Sequence, residues 1–64
     1  MYLTDRDKQI LQCLATGYSG KEVAEQLGMP YGTYQYRLRT IYMTLKVHNL
    51  PEAIAAAMRE DWIK

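Results

Sequence analysis

Phenylalanine is absent from this sequence, and valine occurs only as Val23 and Val47. The apolar residues are instead mostly Leu, Ile, Ala, Met and Tyr, which disfavours a β-rich fold built on branched and aromatic side chains. The single cysteine, Cys13, has no second cysteine with which to form an internal disulfide. There is also no signal peptide, and no apolar run near the roughly eighteen residues that span a bilayer, so the expected setting is the cytoplasm with no membrane contact. Missing too are a Ser/His/Asp set, ligands at zinc spacing and a Gly-rich phosphate loop, and 64 residues are too few to wall a cleft around paired carboxylates. The sequence therefore reads as a non-enzyme with no catalytic residue, no metal, no cofactor and no small-molecule substrate. Its length gives one domain, 1–64, with one core.

Net charge is only +1, too small by itself to imply a polyanionic partner. Its distribution is more informative. Residues 1–28 and 49–64 each carry one more acid than base, whereas Met29 to His48 holds Arg37, Arg39 and Lys46 and no acid at all.

No repeat, linker or low-complexity stretch is present, and Gly and Pro divide the chain into four units that each read as a helix. Thr4 caps the first, with Asp5 and Asp7 set against its positive end; Ile10, Leu11 and Leu14 recur at helical spacing before Gly17 ends it. Ser19 and Glu22 form a capping box for the second, whose apolar stripe is Val23, Ala24 and Leu27 and whose stop is Gly28. Met29 to Gly32 turns the chain into a third helix, about Tyr31 to Lys46, in which Tyr34, Leu38, Ile41 and Leu45 make a buried stripe. Asn49 caps the fourth, with Pro51 in its first turn and Ala53, Ile54, Ala57 and Met58 on one face. Cys13 reads as a core filler and Trp62 as a lid over the end of the core. The expected fold is all-α: a small four-helix domain with a helix-turn-helix formed by the second and third helices.

A short helix, a tight turn and a longer helix without acids are the ingredients of a unit whose second helix enters the DNA major groove. The outward face of the third helix carries suitable chemistry. Gln35 can pair bidentately with adenine, Arg39 with guanine, and Tyr36 can lie on a thymine methyl. Lys21 and the groups around Ser19 and Thr33 can hold phosphates. Tyr36 also reads as a plain surface aromatic. Arg37 reads either as a phosphate ligand or as the ion-pair partner of Glu22 or Glu25.

Several motifs in order resemble the LuxR-type (GerE-like) DNA-binding domain. They are Leu3-Thr4-Asp5-Arg6-Asp7, Ile10-Leu11, Ala15-Thr16-Gly17-Tyr18-Ser19, Gly20-Lys21-Glu22-Val23-Ala24-Glu25-Gln26-Leu27, and then Thr33, Ile41, Leu45, Val47-His48-Asn49 and Glu52-Ala53. The resemblance covers nearly the whole chain. It implies a transcription regulator that binds double-stranded DNA, with base-reading positions at Gln35, Tyr36 and Arg39 and phosphate-contacting positions at Lys21, Thr33 and Lys46. It also implies that the fourth helix mediates homodimer contacts, which makes Ile54, Ala57 and Met58 the dimer surface.

The sequence departs from the family pattern at defined places. Gln35 and Thr44 stand where lysines are usual, Arg37 where histidine is usual, Tyr34 for a small apolar residue, Gly20 for Asn and Pro30 for Ser. Fewer lysines means fewer phosphate contacts and a flatter salt dependence. An alternative reading follows: a stand-alone helix-turn-helix module that pairs with a related full-length regulator through its fourth helix and modulates it. A fragment of a larger regulator fits the sequence equally.

Overall fold

The computed structural model describes residues 3–63; Met1, Tyr2 and Lys64 of the expected 1–64 domain lie outside the described residues. Four helices follow one another: α1 (Asp5–Thr16), α2 (Gly20–Gln26), α3 (Tyr31–Leu45) and α4 (Leu50–Arg59). The described residues contain no strand. The starts of α1, α2 and α4 each carry a side-chain cap, whereas α3 begins after Pro30 without one.

At the start of α1, Thr4 Oγ1 accepts from the Asp7 N–H at 3.1 Å while Asp7 Oδ2 accepts from the Thr4 N–H at 3.2 Å. This is a complete capping box with Asp in place of the usual Glu or Gln, so Asp7 does more than face the helix dipole. The α2 box is the expected one. Glu22 N–H donates to Ser19 Oγ at 3.2 Å and Ser19 N–H to Glu22 Oε1 at 2.8 Å. At α4, Asn49 Oδ1 accepts from the Glu52 N–H at 2.9 Å and Pro51 occupies the first turn, where its missing N–H costs nothing.

The turn between α2 and α3 closes through Met29 N–H to Ala24 O at 2.9 Å, with Gly28 at φ 68°. Lys46, expected inside α3, is instead the left-handed residue just past it, at φ 57°. Its own N–H reaches Met43 O at 3.3 Å and the next N–H, of Val47, reaches Tyr42 O at 3.0 Å, so the last carbonyls of α3 are satisfied without a glycine.

Ile10, Leu11, Val23, Ile41, Ala53 and Ala57 are fully buried, and Leu3, Ala24, Tyr34 and Ile63 are nearly so. One core therefore draws on all four helices, with α1 packed on each of the other three. Burial on this scale is what holds a seven-residue helix such as α2, which is far below the length at which helices persist alone in water. Of the α3 stripe, Tyr34 and Ile41 are buried, whereas Leu38 and Leu45 are half-buried and pack against the cluster from its edge. Cys13 and Trp62 also sit half-buried against the core, as expected, and Lys8 Nζ lies 5.6 Å from the centre of the Trp62 ring.

Candidate nucleic-acid interface

The third helix presents one continuous polar-aromatic face. Gln35, Tyr36 and Arg39 are exposed, while Ile41 on the opposite side of the same helix is fully buried. Burial of Tyr34 and Ile41 fixes the rotation of α3 about its axis, and 3.6 residues per turn then places 35, 36 and 39 outward. Thr40 and Met43 share this exposure. Neither belongs to a motif, although Met43 follows Arg39 at the same four-residue interval that links neighbours on a helix face.

Two grooves flank the face. One is lined by Tyr31, Tyr34, Leu38 and Tyr42 with Gln35 and Arg39 at its rim. Tyr31 and Tyr34 stack in it at 5.6 Å between ring centres. Burial raises the Tyr34 hydroxyl pKa above its usual value, with the neighbouring Tyr31 and Tyr42 adding to the effect, and burial alone raises that of Tyr42. Both hydroxyls therefore stay protonated at neutral pH and bring no negative charge to the face. The other groove runs between the start of α1 and α3 and includes Thr33, Tyr36, Arg37, Thr40 and Thr44.

Ser19, Lys21, Thr33 and Lys46 are all exposed. The beginning of α2 is brought against the first turn of α3, since Gly20 abuts the Tyr34 ring. Ser19 and Lys21 thus lie near the N-terminal end of the exposed face, together with Thr33. Lys46 lies beyond its other end, roughly 20 Å away along a helix of this length. Ser19 Oγ serves as the acceptor in its capping box, so its own hydroxyl hydrogen is what it offers a ligand. The Glu22 carboxyl in that box is held below its ordinary pKa, first by the Ser19 backbone N–H and then by the Ser19 side chain.

Arg37 pairs with neither Glu22 nor Glu25. Its Nη1 lies 3.6 Å from Asp7 Oδ1, which ties α3 to α1. The reach is across the second groove to the acid that also caps α1, a tertiary neighbour that no spacing along the sequence indicates. Arg6 makes a similar link, from its Nη1 to the Leu27 carbonyl at the end of α2 at 3.4 Å. A cation on the last carbonyls of a helix is favourably placed against its dipole.

Of the three residues expected on a dimer surface, Ala57 is corrected by the structure: it is fully buried in the chain's own core. The α4 stripe of small residues is the side on which α1 and α3 close in, so Ala57 packs within the chain. Ile54 is half-buried and Met58 is 54% exposed, on the edge of that stripe.

Residues 1–57 match the family model of the bacterial regulatory proteins of the luxR family, GerE. The chain belongs to the luxR family. Among its relatives, the transcriptional regulatory protein DesR of Bacillus subtilis is 37% identical over 62 residues, which is 97% of this chain and 31% of DesR. The HTH-type transcriptional activator RamA of Corynebacterium glutamicum is 35% identical over 57 residues, 89% of this chain and 20% of RamA. In structure, the luxR-family chain superposes on the response regulator ChrA of a heme-sensing two-component system with a TM-score of 0.91 and 35% identity, covering 98% of this chain and 31% of ChrA. The chain therefore spans a third or less of the length of these proteins, and what matches is the part that forms the helix-turn-helix fold.

Proposed function

We propose that this domain binds double-stranded DNA sequence-specifically as part of a transcription regulator, in the cytoplasm, with α3 in the major groove. The observation that carries the reading is the common exposure of Gln35, Tyr36 and Arg39 on the α3 face, inside a stretch from Met29 to His48 that has no acid. Membership in a family of bacterial regulatory proteins supports it. Gln35 pairs with adenine, Arg39 forks onto guanine N7 and O6, and Tyr36 lies on a thymine methyl. Ser19, Lys21, Thr33 and Lys46 contact phosphates and fix the register. Two copies meet through α4, with Ile54 and Met58 at the contact, and occupy two related half-sites. The reaction is association alone and calls on no cofactor or metal.

The test is selection of duplexes from a random pool followed by titration across salt. Lys21 and Lys46 from each of two copies would neutralise about four phosphates, so affinity falls on the order of a hundredfold between about 50 and 200 mM salt. Binding that ignores salt contradicts the reading.

A second reading is favoured by the exposed apolar surface of Tyr36 and Met43 on this face. In it the domain pairs with a related full-length regulator and modulates it. No duplex bound at any salt, beside a stable complex with such a regulator, selects this reading over the first.

A further inference from the structure

Met43 is the large apolar side chain of the α3 face that the proposed DNA contacts leave without a role. Its side chain is 69% exposed and that of Tyr36 is 68%, the two highest values for large apolar side chains among the described residues. Met43 follows Arg39 by four residues and Tyr36 by seven, so the three stand in one row along α3. Seven residues of helix span about 10 Å, the length of roughly three base-pair steps along a duplex.

The charge of the surroundings commits this row to one occupant. Its only ionised member is Arg39, and no acid lies anywhere from Met29 to His48 to repel a polyanion, whereas a partner that buried this row in an apolar contact would strip Arg39 of water without pairing it. In the major groove the one apolar group that a base edge displays is the 5-methyl of thymine. A thioether chain with three rotatable bonds fits itself to such a methyl without a fixed geometry.

Resting on the DNA-binding reading above, we propose that Met43 is a specificity-determining residue that reads a thymine methyl in each half-site. Tyr36 reads a second methyl about three base pairs away, and Arg39 reads a guanine between them. The reading surface of α3 is then longer than Gln35, Tyr36 and Arg39, and reaches into the helix's last turn.

The experiment uses a duplex selected from a random pool, with its thymines replaced singly by deoxyuridine. This removes the methyl and keeps both the pairing and the O4 acceptor. At two positions about three base pairs apart in each half-site the replacement lowers wild-type affinity about fourfold, the effect of withdrawing one methyl from an apolar contact. Met43→Ala loses sensitivity at one of the two only, and Tyr36→Ala at the other only. Unchanged thermal melting of Met43→Ala, expected for an exposed helical residue replaced by a strong helix former, separates a contact effect from a fold effect. A wild-type protein indifferent to uracil at every position overturns the proposal, as does a Met43→Ala variant that keeps every uracil penalty. In either case the DNA-binding reading survives if affinity still depends on Arg39. A protein that binds no duplex at all overturns both.

Discussion

Gly20 and Tyr34 fit together as a pair: a methyl group on the Gly20 Cα would stand 2.8 Å from Tyr34 Cε2 and 3.0 Å from its hydroxyl oxygen. The ring cannot simply swing aside, because Tyr34 is 5% exposed and stacks on Tyr31. Two departures from the family pattern, Gly for Asn and Tyr for a small apolar residue, thus compensate each other across the α2–α3 contact. Gly20→Ala is expected to destabilise the domain by about 1–3 kcal/mol through overpacking, despite alanine's better helix propensity. In a Tyr34→Val background the same change becomes neutral or mildly stabilising. A double-mutant cycle by urea unfolding checks the coupling, and additive effects would show that the two residues do not meet.

Asp7 is expected to matter more than Arg37, although they form one ion pair. Asp7→Ala removes the Thr4 capping partner and also leaves Arg37 without its carboxylate, for a loss of about 1–3 kcal/mol. Arg37→Ala removes only a partly exposed pair and costs about 1 kcal/mol or less. In a domain of this size each kcal/mol moves the midpoint by roughly 4–8 °C, so thermal melts of the two variants resolve the order.

How far these features were legible in the sequence depends on whether their cause is local. Helix starts at Thr4, Ser19 and Asn49 were readable because a cap needs only residues three apart. The outward face at Gln35, Tyr36 and Arg39 was readable because the period of a helix fixes it once Tyr34 and Ile41 are known to be buried. What was not readable depends on tertiary approach. The Arg37–Asp7 pair joins residues 30 positions apart, and the burial of Ala57 depends on which neighbours close over α4. The end of α3 at Leu45 is not legible either, because a left-handed lysine looks in sequence like a continuing helix.

Lys46 is expected to show opposed effects on stability and binding. Its φ of 57° suits glycine better than a residue with a Cβ. Lys46→Gly should therefore stabilise the fold by up to about 1 kcal/mol. The same change removes a phosphate contact in each copy, so the slope of log affinity against log salt for a dimer becomes shallower by about two. Melting and salt titration of one variant test both halves.

Glu22 should mark the acid limit of the α2 capping box. Its pKa lies below 4.5 in the folded chain, so the stability it lends is fully present above that value and is lost as the pH falls through the lowered one. Glu22→Gln keeps an acceptor for the Ser19 N–H but cannot titrate. Its stability curve should be flatter than wild type below about pH 4.5. Identical acid arms for the two proteins would remove the carboxylate from this role.

The role of α3 is tested most directly through Arg39, measured on a selected duplex and on the same duplex with each guanine replaced in turn. With wild-type protein one replacement should cost about 1–3 kcal/mol, and Arg39→Ala should lower affinity for the intact duplex by the same amount while becoming indifferent to that guanine. An Arg39→Ala protein that binds with undiminished affinity and unchanged base preference would contradict the placement of this face against DNA.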